Sequence, residues 1–259
     1  MAAGKGIITK RILAYLAVAA TIAGVWQGAA GLFPSFLLPG IPQVFARLGT
    51  ILSSREFAEA LGISLARLGS AYLTAALSGT LLGLASGILP WLRTYLRALV
   101  SVLQSVPPIT WVPLLVITMG FGDGPIIVVV TLASFYPMVQ SVMSAAEQVE
   151  PLHIRVARAL GAGKLRVLTS IYLPEVFPSI ITGAQISFGN AWRALVAAEM
   201  VAGVGIGLGW SITFAGEIAD MSGVLAHIVV IGVFAALMDQ VVLELLKRRL
   251  LLWRYAQHE

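Results

Sequence analysis

The side chains with the clearest chemical potential are two ionisable residues inside a long apolar stretch. Arg193 and Glu199 fall within residues 180–201, together with Asn190, and this range is apolar enough to span a membrane. An ionisable group in hydrocarbon is costly unless it meets water or a partner. Because they are six positions apart, Arg193 and Glu199 do not share one helix face. Each must find its partner on another helix, on a second copy of the chain, or in a wet pathway.

Two roles stay open for these residues. Arg193 either meets an anionic ligand or pairs structurally, with Asp239 as the candidate partner. Glu199 fits a structural or gating role near the outer surface of the membrane better than contact with a ligand. We take Asn190, Arg193 and Glu199 as the candidate residues of a substrate pathway.

The sequence contains no pattern typical of an enzyme active site or a metal centre. Nothing resembles a nucleophile with its base or an oxyanion hole, and there is no cysteine for a disulfide or a thiolate site. Alternate glycines from Gly203 to Gly209 do not form a phosphate-binding loop, because no Lys followed by Ser or Thr comes after them. We expect a flexible turn there, with Trp210 as an interface anchor. His227 is expected to be hydrogen-bonded among the helices.

Residues 147–178 form a long water-compatible segment with four Lys and Arg residues. Pro151 is a favourable first residue of a helix, and apolar residues recur at helical spacing until Gly161. A second short helix is expected from Lys164 to about Leu173, where Pro174 should end it. A helix, a glycine corner and a helix that carry charges and exposed apolar residues are typical of a docking surface for a soluble partner.

The composition indicates a polytopic membrane protein. Hydrophobic residues make up 58% of the 259 positions and charged residues 11%, so disorder and a soluble globular domain are both disfavoured. About 20 residues per span allow roughly five to seven helices and leave no room for an aqueous domain. Open sheet edges are forbidden in hydrocarbon, so the spans should be helices rather than strands. We therefore expect one all-α membrane domain over residues 1–259, with its core at about 61–246.

Six spans are expected in this domain. They cover approximately residues 12–32, 63–89, 99–119, 126–145, 180–201 and 224–246. The first could instead be a cleaved signal peptide, but it is long enough to span. Between the first two spans, Gln43 to Leu52 has the spacing of a helix that lies on the membrane surface.

Glycine and proline predict how these spans pack and bend. Small residues every four positions in the second span allow close approach of a neighbouring helix: Ala71, Ala75, Gly79, Gly83 and Gly87. Static packing is the favoured interpretation of this stripe, with sliding of the helix as the alternative. Pro107, Pro108 and Pro113 should break the third span, which follows a short loop over residues 90–97. Gly120 to Gly124 predicts a tight turn, and Pro137 should bend the fourth span.

The distribution of charge predicts orientation. With six spans and the amino terminus inside, the inner segments receive Lys5, Lys10, Arg11, Arg93, Arg97, Arg155, Arg158, Lys164, Arg166, Lys247, Arg248, Arg249 and Arg254. The outer loops receive Arg47 and Arg55, with Glu56, Glu59, Asp123, Glu217 and Asp220. The positive-inside rule then places both termini and residues 147–178 in the cytoplasm. This placement also disfavours nucleic acid as the partner that the net charge of +5 would otherwise suggest.

The spacing within residues 147–178 resembles the cytoplasmic signature loop of binding-protein-dependent ABC importer permeases. Five residues fall on the pattern of that loop: Ala157, Gly161, Ile171, Leu173 and Pro174. Arg155 stands where the family usually has glutamate, and Val156 replaces the first alanine. Further stretches, among them 106–122, 190–200 and 207–217, are similar to the branch that serves nitrate, sulfonates, taurine and bicarbonate.

The resemblance implies the type I importer permease fold, with six spans and a cytoplasmic helix-turn-helix coupling loop. It implies a homodimer in the bacterial inner membrane, two cytoplasmic ATPase subunits that use ATP and Mg, and an extracytoplasmic solute-binding protein. The permease itself would hydrolyse nothing and bind no cofactor. The residues implied to dock the ATPase are Arg155, Val156, Ala157, Arg158, Leu160, Gly161 and Ala162, supported by Ile171, Leu173 and Pro174. Some relatives carry pyrimidines or aromatic acids, so an anionic solute is only favoured.

Two function classes remain at this point. The first is the permease subunit of an ATP-driven importer that works by alternating access. The second is an ATP-independent channel or secondary transporter, in which Arg193, Glu199 and Asp239 would form an ion path. Secondary transporters commonly show an internal repeat, and the two halves of this sequence show no convincing one, which favours the importer.

Overall fold

The computed structural model describes residues 2–238, with side chains from Leu13 onward. All regular structure in this part of the chain is helical, as backbone satisfaction in hydrocarbon requires. The α-helices are α1 (Ala2–Ala30), α2 (Ile41–Leu52), α3 (Arg55–Ile88), α4 (Pro90–Gln104), α5 (Val112–Met119), α6 (Asp123–Glu147), α7 (Pro151–Ala159), α8 (Lys164–Val167), α9 (Leu173–Val201), α10 (Leu208–Glu217) and α11 (Met221–Leu237). A 3₁₀ turn at Pro108–Trp111 precedes α5, and a π-helical turn at Leu168–Tyr172 precedes α9.

The expected all-helical membrane fold is confirmed. Among the described residues, four helical stretches are long and apolar enough to cross a membrane, and a fifth span results if α4 is joined to Pro108–Met119 across a bend of 78°. This bend lies where the three prolines predicted a break. The sixth expected span, residues 224–246, extends past the described residues, and Asp239 lies outside them.

The described residues form two compact units, 2–58 with 211–230, and 59–210 with 231–238. In the first unit, α2 packs through Val44 and Ile51 against Ala226 of α11. The carboxylate of Asp220 pairs with Arg47 at 2.7 Å and accepts the Gly223 N–H. Burial raises the pKa of Asp220, but the Gly223 N–H and the Arg47 guanidinium outweigh burial and hold this pKa below its ordinary value.

In the second unit, α3 approaches α6 closely at two glycines. A Cβ at Gly83 would lie 2.6 Å from the Cβ of Val142, and a Cβ at Gly79 would lie 3.0 Å from Met138. At Gly87 the neighbour is the ring of Tyr172, at 2.6 Å, and the Tyr172 hydroxyl donates to the Gly87 carbonyl at 2.8 Å. The small-residue stripe therefore packs as the sequence indicated.

The loop expected over residues 90–97 is wrong, because this range is the first half of α4. Pro90 is compatible with the first turn of a helix, and Leu96 and Val100 bury one face of α4 against α6. Arg93 stays at the helix start, where its guanidinium donates to the carbonyl oxygens of Ser86 and Gly87.

Pro174 does not end a helix, contrary to expectation. Helical structure continues from Lys164 to Val201. The π-helical turn Leu168–Tyr172 lies immediately before the proline. A wider turn at this point accommodates a residue that has no N–H and a bulky ring, so the chain continues into α9.

The α3 contact gives a test of packing with an internal control. We expect Gly83→Ala to destabilise the protein by about 1–3 kcal/mol, because the new methyl group overlaps Val142. Gly69→Ala, on the same helix with no atom within 4 Å of the new Cβ, should be neutral or slightly stabilising. Thermal unfolding of both variants in the same detergent checks this. Equal midpoints for the two variants would contradict close packing at Gly83.

Candidate functional site

A buried ion cluster joins three helices of the second unit. Arg67 of α3, 4% exposed, donates from Nη1 to Oε1 of Glu199 at 2.8 Å, and Glu199 is fully buried near the end of α9. The Nε of Arg67 donates at 2.8 Å to Oδ1 of Asp123, the first residue of α6. The side chain of Asp123 is 60% exposed, so the cluster reaches the surface at this residue.

The remaining acceptor capacity of Glu199 is also used. The Ser64 hydroxyl, one helical turn before Arg67, lies 2.7 Å from Oε1, and the backbone N–H of Gly209 donates to Oε2 at 2.9 Å. Ser64 Oγ in turn accepts the N–H of Leu208 at 2.9 Å. Leu208 and Gly209 begin α10, where helix N–H groups lack internal partners and favour negative charge. Both carboxylate oxygens of Glu199 are thereby supplied with donors inside the protein.

The glycines from Gly203 to Gly209 allow the loop backbone to lie against this cluster. Gly203, Gly205 and Gly207 have φ values of +63°, +75° and +140°, which L side chains rarely adopt. A Cβ at Gly207 would lie 2.6 Å from the Glu199 carboxyl carbon. The expected flexible turn is therefore a tightly packed loop whose backbone closes over a carboxylate.

The structural role that the sequence favoured for Glu199 agrees with this geometry, but its partner was missed. No role was predicted for Arg67 from the sequence. An arginine inside the expected span 63–89 nevertheless indicates a candidate site in the same way as Arg193 does. The roles of Ser64 and of the start of α10 were also missed. Both depend on backbone N–H groups of Leu208 and Gly209, which cannot be recognised from residue types. His227 is hydrogen-bonded to the Gly223 carbonyl at 2.8 Å, as expected.

Arg193 lies elsewhere on α9 and has a different environment. Its side chain is exposed, and Nη2 donates to Asn190 Oδ1 at 3.0 Å. Within the described residues it has no acidic partner. Its candidate partner, Asp239, lies outside them. The structure thus brings Arg193 and Asn190 together and keeps both apart from the fully satisfied Glu199.

Two cavities adjoin Arg193. The first, about 510 Å³, is lined by Gln185, Ile186, Phe188, Gly189, Trp192, Arg193, Ala235 and Ala236. The second, about 370 Å³, is lined by Gln104, Pro108, Ile109, Ala133, Tyr136, Pro137, Asn190, Arg193, Ala194 and Ala197. Pro137, which lines the second cavity, has no N–H to donate to the carbonyl oxygen of Ala133 one turn earlier. A cation, amide groups and such a backbone can hold a small polar ligand.

The helix-turn-helix over residues 151–167 forms an exposed surface next to the membrane helices. Ile154 and Ala157 of α7 pack onto the buried cluster that includes Val149 and Val167. Gly161, with φ +84°, turns the chain after α7, and its N–H donates to the Arg158 carbonyl at 3.0 Å. The residues that the resemblance assigned to docking are exposed here, except that Ala157 and Ala162 are partly buried.

A side-chain hydrogen bond joins α7 to the start of α9. His153 Nδ1 lies 2.7 Å from Oε1 of Glu175. Beneath it, Leu173 and Pro174 begin α9, and Ile171 in the π-helical turn packs on the same buried cluster as α7. The loop is therefore held at both ends. In the described part of the chain, no group of His, Asp and Glu residues could hold a metal ion.

The fold and this surface define a class, an all-helical polytopic membrane protein with a structured loop between two of its spans. The chain belongs to the family of binding-protein-dependent transport system inner membrane components, whose family model matches residues 79–251. It is therefore an ABC transporter permease.

The relatives agree with this assignment. The taurine transport system permease protein TauC of Escherichia coli (strain K12) is 34% identical, over 95% of this chain and 91% of the relative. The putative aliphatic sulfonates transport permease protein SsuC of Bacillus subtilis (strain 168) is 29% identical, over 92% and 87%. The nitrate import permease protein NrtB of Leptolyngbya laminosa is 30% identical, over 70% and 65%. The resemblance to the nitrate, sulfonate and taurine branch is confirmed.

A solved structure supports the fold independently. A chain of the MetNI methionine ABC transporter, in inward-facing conformations, superimposes with a TM-score of 0.61 at 20% identity, covering 76% of this chain and 98% of that one. At this identity the likeness shows the fold alone, which is that of an ABC importer permease.

The ion cluster predicts strong coupling between two buried residues. Arg67→Met should destabilise the protein by about 3–5 kcal/mol, because Glu199 would keep a buried charge without its cation. The double variant Arg67→Met with Glu199→Met should lose less than Arg67→Met alone, although the bonds to Ser64 and Gly209 are lost as well. Denaturant titration in detergent measures both.

Asp123→Asn is the matched control for the Arg67→Met variant and the double variant. Since the Asp123 side chain is 60% exposed, its loss should cost no more than about 1 kcal/mol. A double variant that is less stable than Arg67→Met would contradict a coupled pair.

Proposed function

We propose that this chain is the membrane subunit of an ATP-driven importer that moves a small anionic solute from an extracytoplasmic binding protein into the cytoplasm. It works by alternating access and hydrolyses nothing itself. ATP and Mg are used by a separate cytoplasmic ATPase. The observation that carries the proposal is the exposed apolar and basic surface of α7 and α8, held rigidly on the ends of the membrane helices.

The structure of this surface supports a coupling role. Leu152, Val156 and Leu160 are 53%, 50% and 83% exposed, on a helix whose other side packs onto the membrane domain. The Tyr172 hydroxyl, next to this loop, donates to the Gly87 carbonyl of α3. Movement of a partner bound to α7 would therefore be passed directly to α3 and α9.

The charge at the cavities supports an anionic solute. Arg193 adjoins both cavities with donors left after its bond to Asn190, and no Asp or Glu lines either cavity. The relatives named for taurine, sulfonates and nitrate give the solutes to screen first.

The proposed assembly is a homodimer with two ATPase subunits, in a bacterial inner membrane, with both termini in the cytoplasm. The positive-inside pattern of the sequence supports this orientation. The first test is ATPase activity of the complex purified through this chain and held in nanodiscs with its binding protein, during a screen of taurine, an alkanesulfonate and nitrate. Uptake into liposomes without ATP would instead support a channel or secondary transporter.

The conformation of the turn after α7 predicts a variant in which ATP hydrolysis is uncoupled from solute uptake. Gly161→Pro removes an N–H donor and requires a negative φ where the chain has +84°, so it should distort the corner. We expect solute-stimulated transport to fall at least about tenfold while the spans stay inserted, since the distortion is local. Gly163→Ala is the control, because Gly163 has φ −70° and free space for a methyl group. Unchanged transport in Gly161→Pro would count against the docking role.

The position of Arg193 predicts that its substitution impairs solute uptake but not folding. Arg193→Gln should reduce uptake of an anionic solute roughly tenfold or more, and Arg193→Lys should retain part of it, because the charge but not the planar fork is kept. Since the side chain is exposed, the thermal midpoint should not change. Transport assays with the solute found in the screen, beside unfolding curves, distinguish the two effects. Normal uptake by Arg193→Gln would remove Arg193 from the pathway.

A further inference from the structure

The surface formed by α7, the turn and α8 has a strong excess of positive charge. Arg155, Arg158, Lys164 and Arg166 are all exposed. None of them forms an ion pair within the part of the chain that the structure describes. Four like charges within twelve positions repel one another, so the surface favours a partner of opposite sign.

The nearby acidic residues do not neutralise this surface. Glu175 pairs with His153 at 2.7 Å, and Glu147 pairs with Arg97. Of the acids between residues 147 and 178, only Glu150 has no partner in the described structure. Among the described residues, four cations without an acidic partner therefore outnumber the two carboxylates of this segment that have no Lys or Arg partner, Glu150 and Glu175.

An apolar row accompanies the charges. Leu152, Val156 and Leu160 are four positions apart, so they form one stripe along α7. Ile154, which packs inward, is two positions from Val156, or about 200° around the helix. The exposed stripe thus faces away from the buried cluster, which lies at the ends of the membrane helices.

This direction favours a protein partner over the lipid surface. A helix bound to lipid turns its apolar side toward the bilayer, with its cations at the headgroups. Here the side of α7 toward the membrane helices is already covered by the chain itself, and the exposed stripe lies on the far side. A groove with an apolar floor and acidic walls matches both the stripe and the charges.

We propose that the partner of this surface is an ATPase whose docking groove carries carboxylates opposite Arg155 and its neighbouring cations. This inference rests on the proposed function, because it concerns the same docking surface. Arg155 lies next to Val156 of the exposed stripe, so its guanidinium is placed at the edge of the contact. Reversal of its charge turns an attraction into a repulsion at that edge.

The experiment measures binding of the purified cognate ATPase to this permease in phosphatidylcholine nanodiscs, at low and high salt. We expect affinity to fall with salt, and Arg155→Glu to weaken binding roughly tenfold at low salt, where screening is weakest. Arg155→Lys should stay close to the wild type. Arg55→Glu, an equal charge reversal at an exposed residue far from α7 in sequence, should have no effect.

The outcomes separate this inference from the function on which it rests. If the ATPase binds but neither salt nor Arg155→Glu changes its affinity, the acidic groove is wrong and the importer assignment stands. If no ATPase binds the wild-type permease, the proposed function itself fails. If the effect of Arg155→Glu requires phosphatidylglycerol in the disc, the cations bind lipid and the inference is overturned.

Discussion

The second unit of this protein depends on supplying hydrogen-bond donors to one fully buried carboxylate. Glu199 is fully buried, and the free energy of an unpaired charge there would be prohibitive. Arg67, Ser64 and the start of α10 each supply a donor, so α3, α9 and α10 must hold one relative arrangement. Asp123 adds the start of α6 through the same arginine. With very few side chains the cluster joins the interior of α3 to the ends of α6, α9 and α10.

The helix α9 connects this cluster to the two other features of functional interest. The π-helical turn before α9 lies beside the exposed surface of α7 and α8, Arg193 adjoins the cavities, and Glu199 lies near the other end of α9. Tyr172 and Glu199 are 27 positions apart, which corresponds to about 40 Å of helix. Since α3 contacts α9 at both ends, through Gly87 and through Arg67, these two helices are suited to move as one body.

The sequence predicted the parts of the fold that depend on local pattern. Hydropathy predicted the long apolar helices of the described chain, the small-residue stripe predicted the close contact at Gly83, and the prolines predicted the break before α5. It failed where the outcome depends on tertiary contacts or on the backbone. Helical structure passes through Pro174 because a π turn precedes it, and the loop at Gly207 is ordered by Glu199. Neither the π-helical turn before Pro174 nor the packing of Gly207 against Glu199 can be predicted from residue spacing.

The contrast between Arg193 and Glu199 shows how a structural charge differs from a functional one. Both lie on α9 within six positions, and the sequence favoured a structural role for Glu199 while it left two roles open for Arg193. Glu199 has a donor for each oxygen and no solvent exposure, so a ligand would have to break existing bonds to reach it. Arg193 is exposed, adjoins two cavities and bonds one amide in the described structure, so it has donors to offer without such a cost. By this criterion we propose Arg193 as the charge of the helix that is available to a ligand, whereas Glu199 keeps the helix in place.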